Sequence, residues 1–181
     1  MKKIFLVIFL FFALYSLSFA DNWEPILKIR PILDKDLDLL SKRSSELSNQ
    51  ININLAKEEE IFKLLSSSIS DPERGKLELE WGKLSNEWEK LNSEDTLLTN
   101  LQLALMTTRE AVFVIESLLS YNKDLKGSKI IKGNIKSIIK STLTLIEKYL
   151  EKGKELKFSY ETIEVLNNIK SDLEKALEIL K

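Results

Sequence analysis

The stretch Leu97–Leu119, LLTNLQLALMTTREAVFVIESLL, decides the fold. Successive residues of a helix step by about 100°. On that projection Leu98, Leu101, Leu105, Val112, Ile115 and Leu119 share one side, and Leu103, Met106, Phe113 and Val114 cover much of the other. A helix that is apolar nearly all round needs partners on several sides, which makes it the hub of a helical bundle. A membrane span is disfavoured, because Arg109, Glu110 and Glu116 would each cost roughly 2.5–3.5 kcal/mol near a bilayer centre.

Working toward the N-terminus, Leu77, Trp81, Leu84, Trp88 and Leu91 form a narrow stripe like a coiled-coil seam, stepping by four and three. From Leu98 the steps run three and four, so the two stripes are out of phase. Asn92-Ser93-Glu94-Asp95 lies between them and offers an N-cap. An interruption within Leu91–Leu98 is expected. Further upstream, apolar residues recur from Leu33 to Ile69 in steps that no strand reproduces. That helix is expected over 31–70, roughly 55 Å long. Ser70-Asp71-Pro72-Glu73 restarts the chain, with Asp71 suited to the N-cap.

Beyond Leu119, Gly127 and Ser128 end a loop. Ile131, Ile135, Ile138, Thr142, Leu145 and Tyr149 then mark a helix whose end Gly153 loosens. Ser159 caps a last helix carrying Ile163, Leu166, Ile169, Leu173 and Leu177. The expected helices are 31–70, 72–91, 94–121, 129–156 and 159–181. The fold class is all-α, an elongated bundle of four to six helices with short connections and coiled-coil-like packing.

The first twenty residues stand apart. Lys2 and Lys3 precede an apolar run from Ile4, and Ser18-Phe19-Ala20 places small residues at −3 and −1. This is the pattern of a cleaved secretory signal peptide over 1–20, leaving 21–181 as a single helical domain. Without Lys2 and Lys3 the 27 basic residues fall to 25 against 28 acidic ones, a net charge of −3. That balance gives no pull toward nucleic acid. The expected localisation is exported, periplasmic or extracellular, in a bacterium. Cysteine and histidine are both absent. Ser-His-Asp and Cys-His nucleophile sites and the usual structural zinc sites are therefore excluded. No cofactor and no metal is expected, and no enzyme.

Four sets of residues invite a functional reading. Trp81 and Trp88 share a face with Leu77, Leu84 and Leu91. They serve either an internal helix contact or a partner, since tryptophan dominates interface energetics. Asp95, Gln102, Arg109 and Glu116 recur every seven residues as a thin polar stripe on the hub helix. Arg109 cannot shed its charge, so it must reach water, an anion, or a carboxylate from another helix. Lys129, Lys132, Lys136 and Lys140 line one side of their helix, a solvated face or a weak contact for anionic lipid or another polyanion. Asp34, Asp36 and Asp38, like Glu58-Glu59-Glu60, diverge on a helix and read as surface charge.

Together these point to a non-enzymatic binding or structural protein of a bacterial cell envelope. It would act through helix-face protein–protein contacts, with a protein partner or by self-association. A periplasmic holdase or assembly chaperone is the alternative. A carboxylate-dependent envelope hydrolase is a second alternative, for which no pair of acids is placed across a cleft.

Overall fold

Leu77, Leu84, Leu91, Leu98, Leu105, Val112 and Leu119 stand seven residues apart without interruption. All are buried except the two ends, which are partly buried. One continuous helix carries the whole row. The computed structural model describes residues 22–67, 70–122 and 125–181. The leader expected over 1–20 and its cleavage site lie outside the described residues. Five helices follow in order: α1 Glu24–Lys28, α2 Arg30–Leu65, α3 Asp71–Tyr121, α4 Ser128–Glu155 and α5 Tyr160–Ile179. The described residues contain no strand, and the four long helices pack against one another as an all-α bundle.

The interruption expected at Leu91–Leu98 is absent, since α3 runs through Asn92–Asp95. What changes there is the second row beside the leucines. Before Leu91 it lies four residues after each leucine, at Trp81 and Trp88. After Leu91 it lies three residues on, at Glu94, Leu101, Thr108 and Ile115, all buried. The same happens on α2. Asp36 and Arg43, each three residues after a core leucine, are buried, whereas Gln50 and Lys57, at the equivalent positions further on, are exposed. A change of spacing thus marks where further helices come to cover the α2–α3 pair, and it needs no kink.

Contacts join α2 to α3, α3 to α4, α4 to α5 and α5 back to α2, closing a four-helix base. The core gathers Leu33, Leu40 and Leu47 with Leu98, Leu105, Ile135, Ile139, Leu166 and Leu173. Beyond Leu47 on α2 and before Leu91 on α3, the two helices continue as a pair. Only Asn54, Ile61 and Leu84 are buried there. At 1.5 Å per residue this arm is about 27–30 Å long.

A buried polar cluster marks the junction of base and arm. Glu94 accepts the Ser159 backbone N–H on Oε1 at 2.9 Å. Its Oε2 accepts the hydroxyls of Ser159 at 2.8 Å and Thr162 at 2.6 Å. Arg43 donates from Nε to Thr162 Oγ1 at 2.9 Å and from Nη2 to Ser159 Oγ at 2.6 Å. Ser159 is the N-cap of α5, as expected, so this carboxylate also faces the positive end of a helix dipole.

Three local expectations change. Ser70, not Asp71, is the N-cap of α3, and its N–H and hydroxyl both donate to Glu73 Oε2 at 3.2 and 2.6 Å. Asp36 is not surface charge: it is fully buried, with neither carboxylate oxygen hydrogen-bonded among the described residues. Gly153 does not loosen α4. It is buried within the helix, and a Cβ there would come 2.9 Å from Phe158 Cδ2 and Ile163 Cδ1.

Candidate binding face

The base covers one flank of the α2–α3 pair and leaves the opposite flank open. On α3 that flank is carried by the row Trp81, Trp88, Asp95, Gln102, Arg109 and Glu116, with Met106 and Phe113 beside it. On α2 it is carried by Arg30, Asp34, Leu37, Ser41, Ser44, Leu55 and Phe62. Helical spacing puts each set on one side of its helix. Cross-helix bonds join the two sets into a single face.

Over the base these bonds form a ladder. Ser44 donates to Asp95, Arg109 Nε donates to Asp34 Oδ1 at 2.8 Å, and Arg30 pairs with Glu116. The carboxylate expected for Arg109 therefore comes from α2, and Glu116 is engaged by a second arginine. Both guanidinium groups also lie against the exposed Phe113 ring, 5.4 Å for Arg30 and 5.7 Å for Arg109. Such cation–π contacts hold the ring in place and leave its outer surface free. Beside it a shallow cleft of about 530 Å³ is lined by Asp34, Leu37, Ser41, Gln102, Met106 and Arg109, among others.

Along the arm the face turns apolar. Phe62 is 64% exposed and Trp81 46% exposed, with Leu55 also open. Trp88 is half-buried, and its indole N–H is shielded with no acceptor among the described residues. Of the two tryptophans, then, one is shielded and one is not. Back on the base, Leu103, Met106 and Phe113 are exposed on the same flank. Exposed aromatic and aliphatic side chains gathered on one flank in this way suit an interaction site.

The structure brings Trp81, Trp88, Arg109 and Glu116 onto this one face. It does not bring Lys129, Lys132, Lys136 and Lys140 there. Those lie on α4, with Lys129 and Lys140 exposed and Lys132 and Lys136 half-buried, and none has a carboxylate partner among the described residues. Leu55 and Phe62 were not singled out by sequence reasoning, and Phe113, read with Leu103 and Met106 as a second side of the hub helix in need of a partner, is left exposed. Their signal was available in the seven-residue spacing of Leu55 with Phe62 and of Met106 with Phe113.

Among the described residues no group of three or more acidic, histidine or cysteine side chains could hold a metal ion. No described helix is long and apolar enough to cross a membrane. No known protein family, curated protein or solved structure matches the chain.

Proposed function

We propose that this is a non-enzymatic binding protein of a bacterial cell envelope, exported by its N-terminal segment and acting through the open face of the α2–α3 pair. One observation carries the reading. The exposed apolar side chains Leu55, Phe62, Trp81, Leu103, Met106 and Phe113 share that face, which runs from the base out along the arm. A long face of aromatic and aliphatic groups with charged pairs between them suits a helical protein surface better than a small substrate, which is held in an enclosed pocket. The coiled-coil-like arm adds contact area and a projecting end.

The test is photo-crosslinking in the producing cell from a photoreactive residue at Phe62. Discrete protein adducts are expected, and they should vanish when Phe113 and Trp81 are replaced by Glu. Adducts unaffected by those substitutions, or none at all, would overturn the reading. Intact mass of the exported material should show a chain beginning at Asp21.

A further inference from the structure

We infer that the lysine row of α4 rests on an anionic phospholipid bilayer, so that the base is held at a membrane surface while the α2–α3 face stays open. This second contact rests on the export reading above and uses a different flank of the molecule.

Charge is segregated along the chain. From Leu125 to Ile146 there are five lysines, Lys126, Lys129, Lys132, Lys136 and Lys140, and no acid. Without Lys2 and Lys3 the chain has 25 basic residues against 28 acidic ones, so outside this segment 20 basic residues stand against 28 acidic, a net charge of −8. None of the five lysines enters an ion pair among the described residues. The first acid that follows, Glu147, is taken by Lys170 of α5 at 3.0 Å. Packing does not call for this arrangement. Lys129, Lys132, Lys136 and Lys140 follow one another by three, four and four residues, spacings at which like charges on a helix repel. An anionic surface outside the helix relieves that repulsion, and clusters of four to eight lysines on a helix are the usual means of holding one.

The surroundings of the row favour a bilayer over other polyanions. The row runs about 16 Å along the outside of a single helix. Gly133 and Ser137 lie exposed among the lysines, and nothing stands within 4 Å of a Cβ built at Gly133. Long lysine stems around such small residues let the helix come close to a flat layer of head groups. At the same end of the base Tyr121 is 92% exposed, and tyrosine is enriched where protein meets the bilayer interface. The chain also enters the base here, since the Trp23 indole N–H donates to Leu125 O at 2.9 Å. The segment read as an export leader ends at Ala20, three residues earlier, which brings this end of the base to the membrane on export. No aromatic residue is interleaved with the lysines, as stacking on nucleic acid would need. The contact is peripheral, because no described helix is long and apolar enough to cross a membrane.

Co-sedimentation of the exported chain with vesicles tests this. Vesicles of phosphatidylglycerol and phosphatidylcholine in equal parts should carry the chain down, less so as salt is raised, and phosphatidylcholine alone should not. A lysine near an anionic surface contributes about fivefold in partition. Replacing Lys129, Lys132, Lys136 and Lys140 together by Gln should therefore weaken binding at least about a hundredfold without lowering the melting temperature. Replacing all four by Arg should preserve it. Because the chain has no cysteine, a polarity-sensitive dye on Ser137→Cys should respond to the vesicles, and one on Phe62→Cys should not. Equal binding to neutral vesicles, full binding by the Gln variant, or a response at Phe62 and not at Ser137 overturns the inference. So does capture by poly-glutamate or polyphosphate with no binding to vesicles, which would assign the row to a soluble polyanion. Trp81→Glu with Phe113→Glu should leave vesicle binding unchanged while abolishing the Phe62 photo-adduct, so either reading can fail without the other.

Discussion

Arg43 and Glu94 face each other across 3.7 Å at the point where four helices become two, and both are buried. Every oxygen of the carboxylate has a donor, and the guanidinium also reaches Glu46 at 3.1 Å. Removing one member leaves the other charged in a low-dielectric site, which typically costs about 3–5 kcal/mol. Glu94→Ala is therefore expected to lower the urea midpoint sharply and to free the N-terminus of α5. Denaturation by urea, with amide exchange read at Ser159 and Thr162, checks both effects.

The Arg109–Asp34 pair should behave differently. Arg109 is about a third exposed, and Asp34 keeps a second arginine, Arg30, at 3.5 Å when Arg109 is removed. Half-exposed pairs of this kind contribute about 1 kcal/mol or less. Arg109→Ala should shift the midpoint only slightly while loosening Phe113, and a loss as large as that of Glu94→Ala would contradict the assignment.

Asp36 makes stability depend on pH near neutrality. Burial above all, and then the charge of Asp172, push its pKa from 3.8 up to about 7, partly relieved by Lys35 and Lys175. The folded chain therefore keeps a proton that the unfolded chain releases near pH 4. Stability contributed by the neutral carboxyl is full below pH 4 and is lost as pH rises toward 7, by up to roughly 4 kcal/mol. Asp172 has the opposite sign. Burial alone would raise it, but hydrogen bonds from Lys175 and Lys35 outweigh that and hold it below the usual carboxylate range. Its contribution is lost only in stronger acid. Melting temperature should thus fall between about pH 5 and 7, and Asp36→Asn should flatten that decline; an unchanged slope would refute the account.

Two glycines on α4 should respond in opposite directions to alanine. Gly133 has nothing within 4 Å of a built Cβ, so Gly133→Ala should stabilise by up to about 1 kcal/mol through helix propensity. At Gly153 the new methyl would meet the Phe158 ring and Ile163, and overpacking of this kind costs about 1–3 kcal/mol. Thermal melts of the two variants side by side decide it.

The class of fold was legible because three- and four-residue steps recur through nearly every apolar segment, and both α4 and α5 fall within two residues of the expected bounds, while α2 ends five residues short of them. The supposed break in α3 was misread for a physical reason. Glu94 is polar in the sequence and becomes a core residue only when Ser159 and Thr162 arrive from a helix about 65 residues away. Asp36 misled in the same way, since only Asp172 and the surrounding core reveal its burial. On the candidate face, Trp81–Trp88 and Asp95–Glu116 were each visible as seven-residue spacings, but the break expected between them kept them from being read as one row. The α2 half of the face was not visible, because which α2 residues lie beside that row depends on the register set between the two helices.

The unbroken leucine row of α3 has a mechanical meaning. A single helix of 51 residues, about 75 Å from end to end, joins the arm to the base. No proline, loop or other hinge interrupts it after its first turn. A twist or tilt imposed at the base is therefore carried to the arm as by a lever, with the buried Arg43–Glu94 cluster as its fulcrum.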